Sequence, residues 1–358
     1  MEVVKFADIV SRVNTKEDRF NTDKIYYVGG DHIDSNELMV RQRGIIKGST
    51  IGPMFYCGFK AGDILFVTRN PHLRKCAVVD FDGICSEKTF VLATKDSSKL
   101  LQEYLALIMQ SDEFWAYCDE NKSGGVNFFL NWSTLADYEF SLPSIEEQKV
   151  LADKLWAAYK VKESYRQLLS TTDEMLKAKF QEMFDFQDLD LTNPTNDFDK
   201  YCFDATSSAT KIPAGNYLDE GKYAIYDQGQ EKDIAGFTNT EDGVNKDYPV
   251  ILFGDHSRVI KFINEPFFIG ADGVKIIRVK DEKTLLPYFL FYDLLYHNIP
   301  NTGYNRHFKY IKMLKLTVPP MELQQQFAEI ATQAEATKTS LRASIEAIDR
   351  VIRSLINQ

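Results

Sequence analysis

No stretch of this sequence approaches 18 uninterrupted apolar residues, so a membrane-spanning helix is not expected. The leading residues Met1-Glu2-Val3-Val4-Lys5-Phe6-Ala7-Asp8 carry acids where a signal peptide needs bases followed by an apolar core. Cysteine is sparse: Cys57, Cys76, Cys85, Cys118 and Cys202 are odd in number and form no C-x-x-C pair. That spacing suits neither a disulfide framework nor a zinc site, and a reduced, cytoplasmic setting is the expectation. The sequon Asn131-Trp132-Ser133 then carries no meaning. Positive charge is also in deficit, 42 Lys and Arg against 52 Asp and Glu for a net charge of −10, which on its face disfavours a nucleic-acid binder. The hydrophobic share of 44% is ordinary for globular protein and excludes wholesale disorder, and 358 residues suggest two to three domains.

Catalytic signatures are missing as well. The segment from Gly215 to Tyr223 mimics a phosphate-binding loop but is one residue too long and places Tyr223 where a magnesium ligand needs Ser or Thr. Asn193-Pro194-Thr195-Asn196 approaches the Asn-Pro-Pro-aromatic signature of adenine methyltransferases, yet lacks the second Pro and the aromatic that stacks a flipped base. Asp272, Lys275 and Glu265 lack the further spaced carboxylate of a nuclease metal site. In Asp255-His256-Ser257, consecutive residues point in different directions and cannot form a hydrogen-bonded triad, so a turn in which Asp255 accepts backbone N–H bonds is the expectation. No catalytic and no metal-ligating residues are assigned.

What the sequence does contain is a repeat. Leu142-Pro143-Ser144-Ile145-Glu146-Glu147-Gln148 aligns with Val318-Pro319-Pro320-Met321-Glu322-Leu323-Gln324 at an offset of 176 residues. Without a gap, Leu151-Ala152 then faces Phe327-Ala328, Lys162 faces Lys338, Arg166 faces Arg342 and Leu169 faces Ile345. Upstream, Trp132 falls on Phe308 and Leu135 on Ile311, and with gaps Ile64-Leu65-Phe66 resembles Ile251-Leu252-Phe253. The chain reads as two copies of one unit.

Each copy ends in a long helical pattern. Leu151, Leu155, Ala158, Val161, Tyr165, Leu169, Leu176 and Phe180 recur at helical spacing, as do Phe327, Ile330, Ala334, Thr337, Leu341, Ile345, Ile348, Ile352 and Leu355. Steps alternating between three and four are a heptad seam, and neither stretch contains Gly or Pro over about 40 residues, roughly 60 Å of helix. The seam residues taken as a helix–helix interface are Leu151, Leu155, Tyr165, Leu169, Leu176, Phe327, Ile330, Leu341, Ile345, Ile348 and Ile352. The alternative is that each helix packs on its own domain as an ordinary amphipathic helix. Before each helix, β-rich runs recur: 24–28, 54–57, 63–67, 76–81 and 89–93 in the first copy, then 248–253, 259–263 and 274–279 in the second. Shorter helical stretches at 99–110 and 286–297 follow them, and the polar segment 185–199 reads as the linker. The fold class is α+β, occurring twice.

Net charge hides local asymmetry. From Leu38 to Lys75 the bases Arg41, Arg43, Lys47, Lys60, Arg69, Arg74 and Lys75 face only Asp63, and between Asp293 and Glu322 lie Arg306, Lys309, Lys312 and Lys315 without an acid. Loops of bases with Gly, Asn and Thr suit phosphate contact, although an ordinary solvated basic face has the same composition. Asn121-Lys122-Ser123-Gly124-Gly125-Val126-Asn127 and Asn301-Thr302-Gly303-Tyr304-Asn305-Arg306-His307 occupy matching places in the two copies. Asn reads adenine and Arg reads guanine bidentately; a tight turn is the plainer alternative. The candidate DNA contacts are Arg41, Arg43, Lys47, Arg69, Asn121, Lys122, Gly124, Gly125, Asn127, Arg258, Lys261, Gly303, Tyr304, Asn305, Arg306 and His307.

On these residues the sequence resembles the specificity (S) subunit of a type I restriction-modification system. The two helix starts carry the likeness, together with Lys179-Phe180-Gln181-Glu182-Met183-Phe184. So do Tyr226-Asp227-Gln228-Gly229, Phe253-Gly254-Asp255-His256, Gly270-Ala271-Asp272-Gly273-Val274-Lys275 and Gly303-Tyr304-Asn305-Arg306-His307, which resemble one class of target recognition domain. Leu323 departs from the pattern, standing where the first copy has Glu147. The resemblance implies a non-catalytic DNA-reading subunit. Target recognition domains at 1–142 and 186–317 each read half of a bipartite sequence. Long helices at 143–185 and 318–358 form an antiparallel coiled coil with pseudo-twofold symmetry. The implied partners are double-stranded DNA, two methyltransferase (M) subunits carrying S-adenosylmethionine, and restriction (R) subunits using ATP and Mg; no cofactor is expected on this chain. Competing readings are a subunit of a methylation-only system, an enzyme with a degenerate site, and a coiled-coil adaptor without DNA readout.

Overall fold

Strand residues here alternate between two burial environments, and that alternation builds the same layers twice. The computed structural model of the chain describes residues 2–270 and 272–357. It divides into one unit of Met1–Gln167 with Leu341–Gln358 and a second of Leu168–Ser340. Two long helices, Ile145–Met183 and Met321–Ile356, each contribute to both units.

In the first unit an antiparallel sheet runs in the order Val10–Val13, Thr89–Thr94, Ile64–Val67, Cys76–Val78. All four residues of Ile64–Val67 are buried. Ile64 and Phe66 join Phe114, Trp115 and Leu105 on the helical side, whereas Leu65 and Val67 join Val28, Phe59 and Cys85 of the next layer. Period two thus makes one strand the partition between two cores. The second sheet has the order Gly44–Ile45, Tyr26–Val28, Gly83–Ser86, Phe55–Phe59, with Tyr26–Val28 parallel to Gly83–Ser86.

The second unit repeats this plan. Its antiparallel sheet is Cys202–Asp204, Val274–Val279, Val250–Gly254, Ile260–Ile263. Ile251 and Phe253 point to the helical side with Phe289 and Phe308, and Val250 and Leu252 to the other with Tyr226, Phe267 and Ile269. In the second sheet Tyr223–Tyr226 again runs parallel to Phe267–Gly270 and antiparallel to Gly236–Thr238. One strand breaks the repeat: beside Phe267–Gly270 lies the parallel Lys211–Ile212, whereas the first unit has the antiparallel Phe55–Phe59 beside Gly83–Ser86.

The long helices start alike. Ser144 N donates to Glu147 Oε2 at 3.0 Å and Glu147 N to Ser144 Oγ at 3.3 Å, a reciprocal capping box. Leu323 denies the second helix that box, and Pro320 O accepts the Leu323 N–H at 3.0 Å instead. One turn on, Gln148 is fully buried. Its Oε1 accepts Leu101 N at 3.0 Å, and its Nε2 donates to Lys99 O at 2.8 Å and Pro143 O at 3.0 Å. Gln324 makes the same set, with Leu286 N at 2.8 Å, Thr284 O at 2.9 Å and Pro319 O at 2.8 Å. Each glutamine thereby fixes its long helix to the start of a short one, Gln102–Ile108 or Pro287–Tyr296.

Candidate nucleic-acid interface

In the second unit, four separate segments converge on one turn. The strand Val250–Gly254 ends at Asp255, whose N–H donates to Gly273 O at 2.7 Å. The next N–H, of His256, donates to Gln228 Oε1 at 3.2 Å. Gly273 has φ +71°, and a Cβ there would lie 2.3 Å from Gln228 Nε2, so this crossing demands glycine on two grounds. Asp255 is buried and holds the fourth segment: its carboxylate accepts Phe308 N at 2.8 Å and its carbonyl accepts His307 N at 2.8 Å. The His307 ring lies 2.9 Å from the same carbonyl through Nδ1 and 3.3 Å from Thr302 N through Nε2. A carbonyl only accepts, so Nδ1 carries the proton and Nε2 accepts. The segments Tyr226–Gly229, 253–256, 270–275 and 303–307 are thus parts of one site; Ala271 lies outside the described residues.

Upon this clasp stands the loop 301–306. Gly303 has φ +78° and Asn305 N donates back to Gly303 O at 2.7 Å, closing a tight turn. Tyr304 is 89% exposed, and its ring stacks on His256 at 4.5 Å with the planes 5° apart. His256 Nδ1 donates to Asn305 O at 3.1 Å. Arg306 is exposed, with no hydrogen bond or ion pair to described residues.

The first unit has the same clasp in other residues. After the strand Ile64–Val67, Thr68 O accepts Leu130 N at 2.9 Å and Asn70 N donates to Phe128 O at 2.9 Å. Ser123 and Phe129 exchange two 2.9 Å backbone bonds that close the loop between them. Gly124, at φ +103°, would place a Cβ 2.6 Å from Asn127 O. The tip residue Val126 is 92% exposed. Arg69 lies over the Phe129 ring at 5.2 Å. Lys122 sits over Phe128 at 4.7 Å and pairs with Asp119 at 3.0 Å.

The remaining sequence candidates divide by burial. Arg41, Arg43, Lys47, Arg69, Asn121, Gly124, Gly125, Asn127 and the 303–306 residues are exposed. Arg41 pairs with Asp34, Glu37 and Glu163 at 3.3, 3.5 and 3.8 Å, and the Arg43 guanidinium covers Tyr26 and Phe81. His307 and Lys261 face inward, and Arg258 is half-buried. His307 is fully buried, and its ring braces the loop from beneath. Lys261 is buried with its ammonium on Lys232 O at 2.8 Å and Asp233 O at 2.9 Å, and burial pushes its pKa down. Arg258, at φ +64°, donates to Ile299 O at 2.9 Å. His307 and Lys261 keep their polar groups inward, Arg258 spends one guanidinium N–H on Ile299 O, and the exposed candidates are the two loops with Arg41, Arg43, Lys47 and Arg69. Gln228, Asp255 and His256 build the site, although periodicity and charge gave no reason to select them.

Of the proposed seam, Leu155, Leu176, Phe327, Leu341 and Ile352 are buried, and Leu151, Tyr165, Leu169, Ile330, Ile345 and Ile348 half-buried. Val161 is instead 44% exposed, and its neighbour Lys162 is buried. In the first unit Lys162 meets Asp349 at 2.6 Å and Glu37 at 3.1 Å. Burial pushes the Glu37 carboxyl up, but Arg166 at 2.7 Å and Lys162 outweigh it and hold the carboxyl below its ordinary value. In the second unit Lys338 meets Asp173 at 2.6 Å and Glu335 at 2.7 Å. Lys162 and Lys338 are repeat equivalents, and so are Asp349 and Asp173.

The comparisons with known proteins agree with this duplicated architecture. The family model for the type I restriction modification DNA specificity domain matches residues 1–169 and 203–350. A search of curated proteins finds no match. Among solved structures the chain is similar to the type I restriction-modification system S subunit from M. genitalium, at 14% identity and a TM-score of 0.56, covering 99% of this chain and 94% of that one. It is also similar to a chain from a structure concerned with complex assembly and conformational transition of the type I R-M system, at 19% identity and a TM-score of 0.51, covering 99% and 96%. With two matched segments spanning most of its length, one in each half, the chain belongs to the family of type I restriction-modification DNA specificity proteins.

Proposed function

We propose that this chain is the non-catalytic subunit that reads a bipartite DNA sequence and directs adenine methylation, and restriction where R subunits are present, by its partners. The observation that carries this is the repeated clasp: in both units the turn after the central strand holds an exposed loop, 121–127 or 301–306, with amides, glycines and a base. Phosphate contacts position such a loop and base-edge contacts specify the sequence. Two similar modules suit two half-sites. The long helices are then an antiparallel coiled coil that sets the half-site spacing. Its buried lysines, Lys162 and Lys338, each paired with an aspartate, act as polar register marks, because a shifted pairing leaves a buried ammonium without its carboxylate. S-adenosylmethionine belongs on two M subunits, and ATP and Mg on R subunits. The acidic total of the chain suits partners that supply part of the phosphate grip.

The test is to co-express the chain with the methyltransferase subunit of its own system and map modified adenines across a genome. One motif with two specified halves and an unspecified spacer is the expected result. A single contiguous motif, or methylation of the same motif without this chain, refutes the proposal.

A further inference from the structure

Tyr304 is unusual among the aromatics of the second unit. Most of these rings, such as Phe253, Phe267 and Phe289, are buried, whereas Tyr304 is 89% exposed at the tip of a loop closed beneath it. One face of its ring is already covered by His256, parallel at 4.5 Å, and His256 is itself tied to Asn305 O and to Gln228. The base of the loop is anchored by the fully buried His307 and the buried Asp255. A large apolar ring held this way loses little conformational freedom on binding, and it leaves one flat face open. Exposed Arg306 and Lys309 follow it in the sequence, and no acid occurs between Asp293 and Glu322. This charge favours a polyanion over an acidic or neutral protein surface.

Resting on the DNA-reading function proposed above, we infer that Tyr304, backed by His256, is a stacking element that inserts against a nucleobase face at its half-site and partly unstacks one base step. Aromatic side chains stack on any base, and wedges of this kind kink duplex DNA where the step is flexible. Arg306, two residues on, grips the phosphate or base edge beside the opened step. His256 is the positioning residue: it sets the plane of the tyrosine without touching DNA. In the first unit the exposed loop tip is Val126, without a π face, and the aromatics Phe128 and Phe129 are half-buried, so the unstacking is expected at the half-site of the second unit.

The experiment uses the complex of the full chain with its methyltransferase subunits and duplexes carrying 2-aminopurine at successive positions of both half-sites, once modification mapping has defined them. Apart from the target adenines, which the M subunits flip in every variant, the wild-type complex raises 2-aminopurine fluorescence at one further step, in one half-site only. Tyr304→Ala abolishes that rise and weakens binding about 5- to 150-fold, the range that loss of one base stack gives. Tyr304→Phe and Tyr304→Trp keep the rise. His256→Ala keeps part of it, with the same step responding. Because Tyr304 packs only on the loop surface, Tyr304→Ala folds and assembles. No brightened position beyond the target adenines, or equal brightening there by Tyr304→Ala, overturns the inference while specific methylation by the wild type leaves DNA reading standing. Loss of the methyltransferase subunits from Tyr304→Ala on gel filtration also overturns it, assigning the tip to a protein partner. Absence of any specific methylation by the wild type instead refutes the DNA-reading function itself.

Discussion

Replacing Gln148 or Gln324 with alanine tests whether each unit fastens its long helix by the same device. Each side-chain amide is fully buried and satisfies one backbone N–H and two backbone carbonyls at 2.8–3.0 Å. A net hydrogen bond contributes about 1 kcal/mol, and a buried group left without a partner costs about 1–3 kcal/mol. Truncation also leaves a small void. The expected cost is about 3–5 kcal/mol at each site, moderated if water enters. Hydrogen exchange with mass spectrometry reads the units separately. Amides of Gln102–Ile108 in Gln148→Ala, and of Pro287–Tyr296 in Gln324→Ala, exchange at least about 100-fold faster than in the wild type. The other unit is unchanged in each variant. Acceleration below about fivefold at either site, or at one site only, refutes the argument that these two glutamines hold equivalent joints.

Two other perturbations follow from named groups. Asp293 is fully buried beside His297 at 3.9 Å, and burial pushes its carboxyl up to about 7, opposed by Thr317 N–H. The folded state then binds more protons than the unfolded chain between about pH 4 and pH 7, so this group costs stability progressively as pH rises through that window. Asp293→Asn removes the cost, and its stability relative to wild type improves by about 3 kcal/mol between pH 5 and pH 8, measured from urea midpoints; a gap that does not change with pH contradicts the assignment. Cys57 faces Cys85 across paired strands, and the Cys85 hydrogen bond, helped by Arg12 and Lys16, holds the Cys57 thiol down to about 7 against the opposing effects of burial and Glu87. Burial pushes Cys76, Cys118 and Cys202 up. Iodoacetamide at pH 7.5 therefore alkylates Cys57 first by peptide mapping, and equal labelling of Cys202 rules this out.

Much of the duplicated plan was legible because repetition makes identical chemistry appear twice. The offset of 176 residues that aligned Gln148 with Gln324 brings the same three hydrogen bonds to each. The strands at Ile64–Val67 and Val250–Gly254 stood out as apolar runs because both their faces are buried. Short strands such as Gly44–Ile45, Lys211–Ile212 and Gly236–Thr238 did not, since two or three mixed residues carry no period. The helix seam was placed through Val161 because a periodicity reading sends lysine outward. Lys162 is inside instead, since acids distant in sequence, Glu37 and Asp349, neutralise it. His307 and Lys261 were chosen as DNA contacts by loop position and charge, and each is buried by backbone carbonyls that a linear pattern does not reveal.

The claim that two reading modules are spaced by paired helices is tested most directly by lengthening one helix. Four residues inserted into Ile145–Met183 add about 6 Å, roughly one turn, with a residual rotation of about 40°. Modified-adenine mapping of the co-expressed complex then shows both half-sites unchanged and the unspecified spacer altered. The same spacer as in the wild type, or a changed half-site, contradicts the account.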